Sequence, residues 1–131
     1  MKYLCLAYGD RKSMEALSEE EMQELFAGCR AHDEELRRSG HFVEGMSLEW
    51  DAMTIRPRGG KPVVTDGPFI ESREVVGGLV IIEARDLNEA VRIASLHPAA
   101  HLGEKLGWAV EVRPIGTCQA AQARPQDRRR G

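Results

Sequence analysis

A chain of 131 residues with 42% hydrophobic and 30% charged residues has the size and composition of one soluble globular domain. Its net charge of −3 argues against a general nucleic-acid binder. The apolar run after Lys2 stops at Gly9-Asp10, too short for a signal peptide or a membrane span, so a cytoplasmic protein is expected.

Tyr3 to Tyr8 reads as a central strand, apolar on both faces. Gly9-Asp10 ends it, and a polar loop is expected up to Leu17. Ser18-Glu19-Glu20-Glu21 is a capping box that opens a helix to about Ser39, with Gly40 as its stop. Met22, Leu25, Phe26, Cys29 and Leu36 form its apolar stripe. Asp33 falls inside that stripe and His32 on its edge, where a core-facing helix leaves no acid. His41 to Glu49 is expected as a second strand and Ala52 to Arg58 as a third. Gly59-Gly60 supplies the positive φ of a two-residue hairpin turn, in a register that sets Pro57 opposite Pro62.

The returning strand, Val63-Val64-Thr65, is β-branched and suits a half-buried pleated surface. It ends in a hard corner at Asp66-Gly67-Pro68-Phe69. Pro68 fixes its own φ and keeps Gly67 out of the α region; Gly67 and Pro68 are read as structural, with Phe69 anchoring the far side. Asp66 is the odd member. The usual Asx bond goes to the N–H two residues on, and Pro68 has none. Its carboxylate must find water, a distant donor or a ligand.

A polar loop, Ile70 to Glu74, and Gly77-Gly78 lead into Leu79 to Ala84, a strand buried on both faces. Asp86 caps a second helix with Glu89 in the capping-box position, and Pro98 ends it. His101 to Gly107 reads as loop. Trp108 to Arg113 is the last strand, with Trp108, Val110 and Val112 on one face and Glu111 and Arg113 as an outward pair. Residues 1–116 form the expected domain. Residues 117–131, which include Arg128-Arg129-Arg130, have the composition of a flexible basic tail.

Without the extra hairpin the order is β-α-β-β-α-β, so the expected class is α+β with a ferredoxin-like pattern. Two helices cover one sheet face. Since the strands at 3–8 and 79–84 are apolar on both, the other face needs a cover that this chain does not supply.

Few chemical motifs are present. There is no Walker loop and no G-x-S-x-G, and Arg58-Gly59-Gly60-Lys61 is not a dinucleotide fingerprint, so no cofactor is expected. Cys5, Cys29 and Cys118 are odd in number, widely spaced and form no C-x-x-C; they read as reduced thiols, with no disulfide framework or zinc site. His97 and His101 are four apart, but Pro98 breaks the helix that would align them on a metal, so they read as ordinary loop histidines. There remain His32, Asp33 and Asp66, with Glu71 beyond the corner. A His and a carboxylate meeting in a partly buried cleft can serve as a general acid–base pair. The competing reading is structural: Asp33 bonded to Arg30 or Arg37, and Asp66 pinning the corner.

Val64 to Glu71 around Asp66-Gly67-Pro68-Phe69, Gly77-Gly78 before a strand, Glu111-Val112-Arg113-Pro114, and the start Met1-Lys2-Tyr3-Leu4 with Tyr8-Gly9-Asp10 resemble the DGPF-domain branch of the YciI-like (YCII-related) proteins. So does Glu34-Glu35-Leu36-Arg37 followed by Gly40. The resemblance covers about residues 1–115. It implies a ferredoxin-like, dimeric α+β barrel, which would supply the missing cover. Family relatives are mostly uncharacterised; some lie beside or are fused to extracytoplasmic-function sigma factors, and some distant barrel relatives are enzymes. In YciI-like relatives a His on the first helix and an Asp after the second are the proposed active pair. His32 fits the first position. His97-Pro98 stands where those relatives have Asp-Pro, so Asp66 becomes the candidate carboxylate beside His32. Two classes follow: a small enzyme or ligand-binding protein with a His32/Asp66 site, or a non-catalytic homodimeric module associated with sigma factors.

Overall fold

The computed structural model describes residues 1–116; the Cys118 thiol and the Arg128-Arg129-Arg130 run lie outside the described residues. The fold is mixed α+β, with a four-stranded antiparallel sheet, a separate two-stranded hairpin and three α-helices. The elements are β1 (Lys2–Asp10), α1 (Arg11–Glu15), α2 (Glu19–Arg37), β2 (Phe42–Ser47), β3 (Met53–Arg58), β4 (Lys61–Asp66), β5 (Glu74–Glu83), α3 (Leu87–Ala94) and β6 (Ala109–Pro114).

The main sheet runs β2-β5-β1-β6. Strand alternation sends Tyr3, Cys5, Val80 and Ile82 to one face, where they form the core with Leu36 of α2 and Ala90, Ile93 and Ala94 of α3. Burying one such side chain contributes about 1.5–3 kcal/mol. Leu4 and Leu6 pair with Ile81 and Leu79 on the opposite face. These four are only half-buried, because neither α2 nor α3 covers that side.

The first capping box is complete and the second is half formed. Ser18 Oγ accepts from the Glu21 N–H at 3.1 Å, and Glu21 accepts from the Ser18 N–H at 2.8 Å. Asp86 accepts from the Glu89 N–H at 2.9 Å, whereas Glu89 reaches one residue further back, to the Arg85 N–H. The expected hairpin register holds, with Pro57 opposite Pro62, and so does the outward Glu111–Arg113 pair, at 3.5 Å.

Several expectations need correction. The polar loop after Tyr8 is instead two more residues of β1 and the short helix α1, because Asp10 accepts from the Lys12 N–H and the Ser13 hydroxyl and so starts a helix. Gly77-Gly78 lie within β5, not before it; a register shift at Ala7/Tyr8 absorbs the irregularity. The stretch from His101 to Gly107 contains a 3₁₀ turn, Glu104–Leu106, after another at Pro98–Ala100. β4 is not half-buried. Every residue of it is exposed, because β3 and β4 form their own ribbon rather than joining the main sheet.

The corner has positive φ at Gly67, +97°. It is held by backbone: the Gly67 N–H donates to Ala52 O at 2.8 Å, and Thr54 Oγ1 donates to Gly67 O at 2.7 Å. Phe69 anchors nothing in the single chain. It is 65% exposed, its ring 5.8 Å from the Arg56 guanidinium.

Candidate functional site

A cavity of about 470 Å³ lies between α2 and the end of the sheet where β1, β2 and β5 are lined with small residues. Ala7 pairs with Gly78, and Gly45 with Val80. At the other end of the sheet, Tyr3, Cys5 and Ile82 fill the equivalent space. Gly45 and Gly78 keep the floor low: an added Cβ would lie 3.2 Å from the Phe42 ring or 3.1 Å from Met46 O, respectively.

One stripe of α2 forms the roof, with Phe26, Cys29, Asp33, Leu36 and Arg37 at helical spacing. Tyr8, Phe42, Trp50 and Trp108 supply aromatic wall, and His97-Pro98-Ala99 closes one side. Trp108 thus precedes β6 and walls the cavity, with its Nε1–H directed to Met14 Sδ at 3.3 Å.

The imidazole of His97 is fixed by local sequence. His97 caps the 3₁₀ turn, and Pro98 at its first position has no N–H, so the first available donor is Ala99. Nδ1 of His97 accepts that N–H at 2.9 Å. The neutral ring therefore carries its proton on Nε2. Burial pushes the His97 pKa below its ordinary value, and the charge of Asp33 pulls it the other way. Asp33 itself makes no ion pair among the described residues, so the expected bond to Arg30 or Arg37 is not formed. Its charge also reaches Cys29, whose thiol is pushed up first by burial and then by Asp33. Burial pushes Cys5 up to about 11. Neither thiol has the thiolate character of a nucleophile.

His32 and Asp66 are not brought together here. The His32 ring stacks on His101 with centroids 4.6 Å apart and planes 9° apart, and it does not line the cavity. His101 in turn is tied to Ser95 O through Nε2 at 2.6 Å. Asp66 lies at the exposed end of β4, in a depression of about 410 Å³ that also includes Arg11, Trp50 and Asp51. Among the described residues its carboxylate accepts no hydrogen bond; Pro68 removes the local Asx donor, and no distant donor replaces it. Glu71 is exposed in the loop beyond. A more voluminous open groove, about 940 Å³, follows β3 to Phe69, but no acid, His or Cys lines it.

Sequence reasoning kept Asp33 among the candidates as an acid on an apolar stripe, but paired His32 with Asp66 and read His97 as an ordinary loop residue. The available signal was the His-Pro pair itself, which stands where the relatives have Asp-Pro; Pro98 lacks an N–H, and here His97 Nδ1 takes the next one, from Ala99.

The model of the YCII-related domain matches residues 1–115. An uncharacterised protein of Rhizobium meliloti (strain 1021) is 29% identical over 117 residues, 88% of this chain and 92% of that one. Among solved structures, the chain is similar to 5-chloro-2-hydroxyhydroquinone dehydrochlorinase of Burkholderia phenoliruptrix AC1100, in complex with 2,5-dihydroxybenzoquinone. That likeness has a TM-score of 0.48 and 16% identity, over 92% of this chain and 98% of that one.

Proposed function

Because the chain belongs to the YCII-related family, we propose that it is a small enzyme or small-molecule-binding protein whose acid–base site is the cavity under α2, with Asp33 and His97 as its working pair. The observation that carries this reading is their convergence on one aromatic-walled cavity. Concave, largely apolar sites with a few convergent polar groups are where small ligands bind.

The two groups have opposite tasks. Asp33 is a carboxylate with no ion pair among the described residues, and it accepts a proton. His97 is neutral and donates through Nε2–H, since protonating Nδ1 would break its bond to Ala99. A ligand C–H or O–H proton passes to Asp33, and the electron pair left behind gathers on a ligand oxygen facing His97. A neutral imidazole suits that oxygen because it offers a hydrogen bond without surrendering a full proton. The reaction class is proton abstraction beside a carbonyl, or from an enol or phenol. This replaces the His32/Asp66 pairing by two residues that share a cavity.

The strand order β2-β5-β1-β6, with α2 and α3 on one face, supports a ferredoxin-like topology. The half-buried Leu4, Leu6, Leu79 and Ile81 support a second copy packed on the open face, as in a dimeric α+β barrel. Among the described residues no helix is long and apolar enough to cross a membrane.

A thermal-shift screen of small enolic, phenolic and keto compounds tests the site, because a ligand bound only to the native state raises Tm. Hits should shift the parent protein and lose the shift in Asp33→Asn, whose unliganded Tm stays close to the parent's. Hits that shift both equally would place binding elsewhere.

A further inference from the structure

Arg37 lies one helical turn beyond Asp33 and lines the same cavity; among the described residues no other Lys or Arg does. Its guanidinium carbon stands 4.6 Å from the centroid of the Phe42 ring. A stacked guanidinium spends its face on the ring and keeps its in-plane N–H donors for a carboxylate or similar anion. Among the described residues no carboxylate takes them. Asp33 is four residues back, a spacing at which Glu34 and Arg38 on the same helix do pair, at 3.8 Å. Phe42 holds Arg37 in a different role.

We infer that the ligand of this cavity is a planar organic anion of about one-ring size, with its anionic group on Arg37 and its acidic proton toward Asp33. This rests on the cavity being the site proposed above. Four residues of helix rise about 6 Å, which sets the separation of the two ligand groups near the length of one substituted ring. Phe26, Phe42, Trp50 and Trp108 provide flat apolar walls for such a ring. Arg37 is exposed, and the stack on Phe42 is what orients it.

Trp50 and Trp108 are the two tryptophans of the chain, and both line the cavity, so intrinsic fluorescence reports its occupancy. The probes are 4-hydroxybenzoate and 4-hydroxybenzamide, which share a ring and a hydroxyl and differ in charge. The parent should bind the benzoate about tenfold more tightly or better, the value of one charge-assisted hydrogen bond. Arg37→Gln should narrow that preference to within about twofold. Arg37→Lys, which keeps the charge but not the planar fork, should lie between them and carries the test if the Gln variant does not fold. Equal binding of both probes by the parent, or an unchanged preference in Arg37→Gln, overturns the inference. Binding of the amide alone overturns it and leaves the cavity as a ligand site. A fluorescence signal that responds to neither probe removes both readings.

Discussion

Gly103 and Gly67 both have positive φ, +72° and +97°, yet their surroundings differ. A Cβ at Gly103 would lie 2.2 Å from the Trp108 ring, whereas nothing lies within 4 Å of one at Gly67. Gly67→Ala should therefore cost backbone strain alone, about 1 kcal/mol. Gly103→Ala should cost ~2 kcal/mol or more, since it adds the displacement of Trp108 from the cavity wall. Denaturant melts of the two variants check this, and equal losses would show that Trp108 is not wedged. His97 makes a second residue-scale prediction. Its folded pKa is depressed from 6.5 by burial, so the unfolded chain takes up the proton first. The stability linked to it is fully present above pH 6.5 and is lost as pH falls through the folded value. Tm should begin to drop near neutrality on acidification, and His97→Gln should remove that first part of the decline. A His97→Gln protein with the parent's Tm profile would contradict the buried neutral ring.

At the scale of elements, acid should act next on the helix starts and the sheet edge. Asp10, Glu21, Glu83 and Glu89 are held below the usual carboxylate range, chiefly by hydrogen bonds from Ser13, Ser18, the N-terminal amine and Arg85, respectively. Their stabilisation is present above the ordinary carboxylate values and is lost as pH falls below them. The features legible in the sequence are those set within a few residues. Ser18 with Glu21, Asp86 with Glu89, and Pro57 opposite Pro62 each follow from local spacing. The misses depend on longer-range choices. Pro57 and Pro62 mark their end of the hairpin as edge-like or projecting, but nothing within β3 and β4 says that both strands leave the main sheet altogether. The Ala7/Tyr8 register shift that lets β5 run through Gly77-Gly78 is a property of the pair of strands. The site was half legible for the same reason. Asp33 stood out on its own stripe, but its neighbour His97 is brought to it by the packing of α2 against the turn after α3.

For the whole molecule, the open sheet face is the feature to account for, and the cover we propose is a second copy. One sheet face is closed by α2 and α3. The other shows Leu4, Leu6, Leu79 and Ile81, and Met53, Ile55, Val64, Phe69 and Ile70, in the hairpin and the loop after it, are each more than half exposed. Apolar surface on this scale is unusual on a monomer. Two copies packed face to face would bury the open sheets through one self-complementary interface. Sedimentation velocity at micromolar concentration should show a species of twice 14.6 kDa. A 14.6 kDa species alone would mean that the open face stays wet.

The pairing of Asp33 with His97 is tested most directly by imidazole NMR across pH, with His32, His41, His97 and His101 assigned. His97 should show the Nε2–H tautomer and titrate below the ordinary value of 6.5, and Asp33→Asn should lower it further by removing a nearby negative charge. A His97 curve unmoved by Asp33→Asn would contradict the assignment of the acid–base site to this cavity.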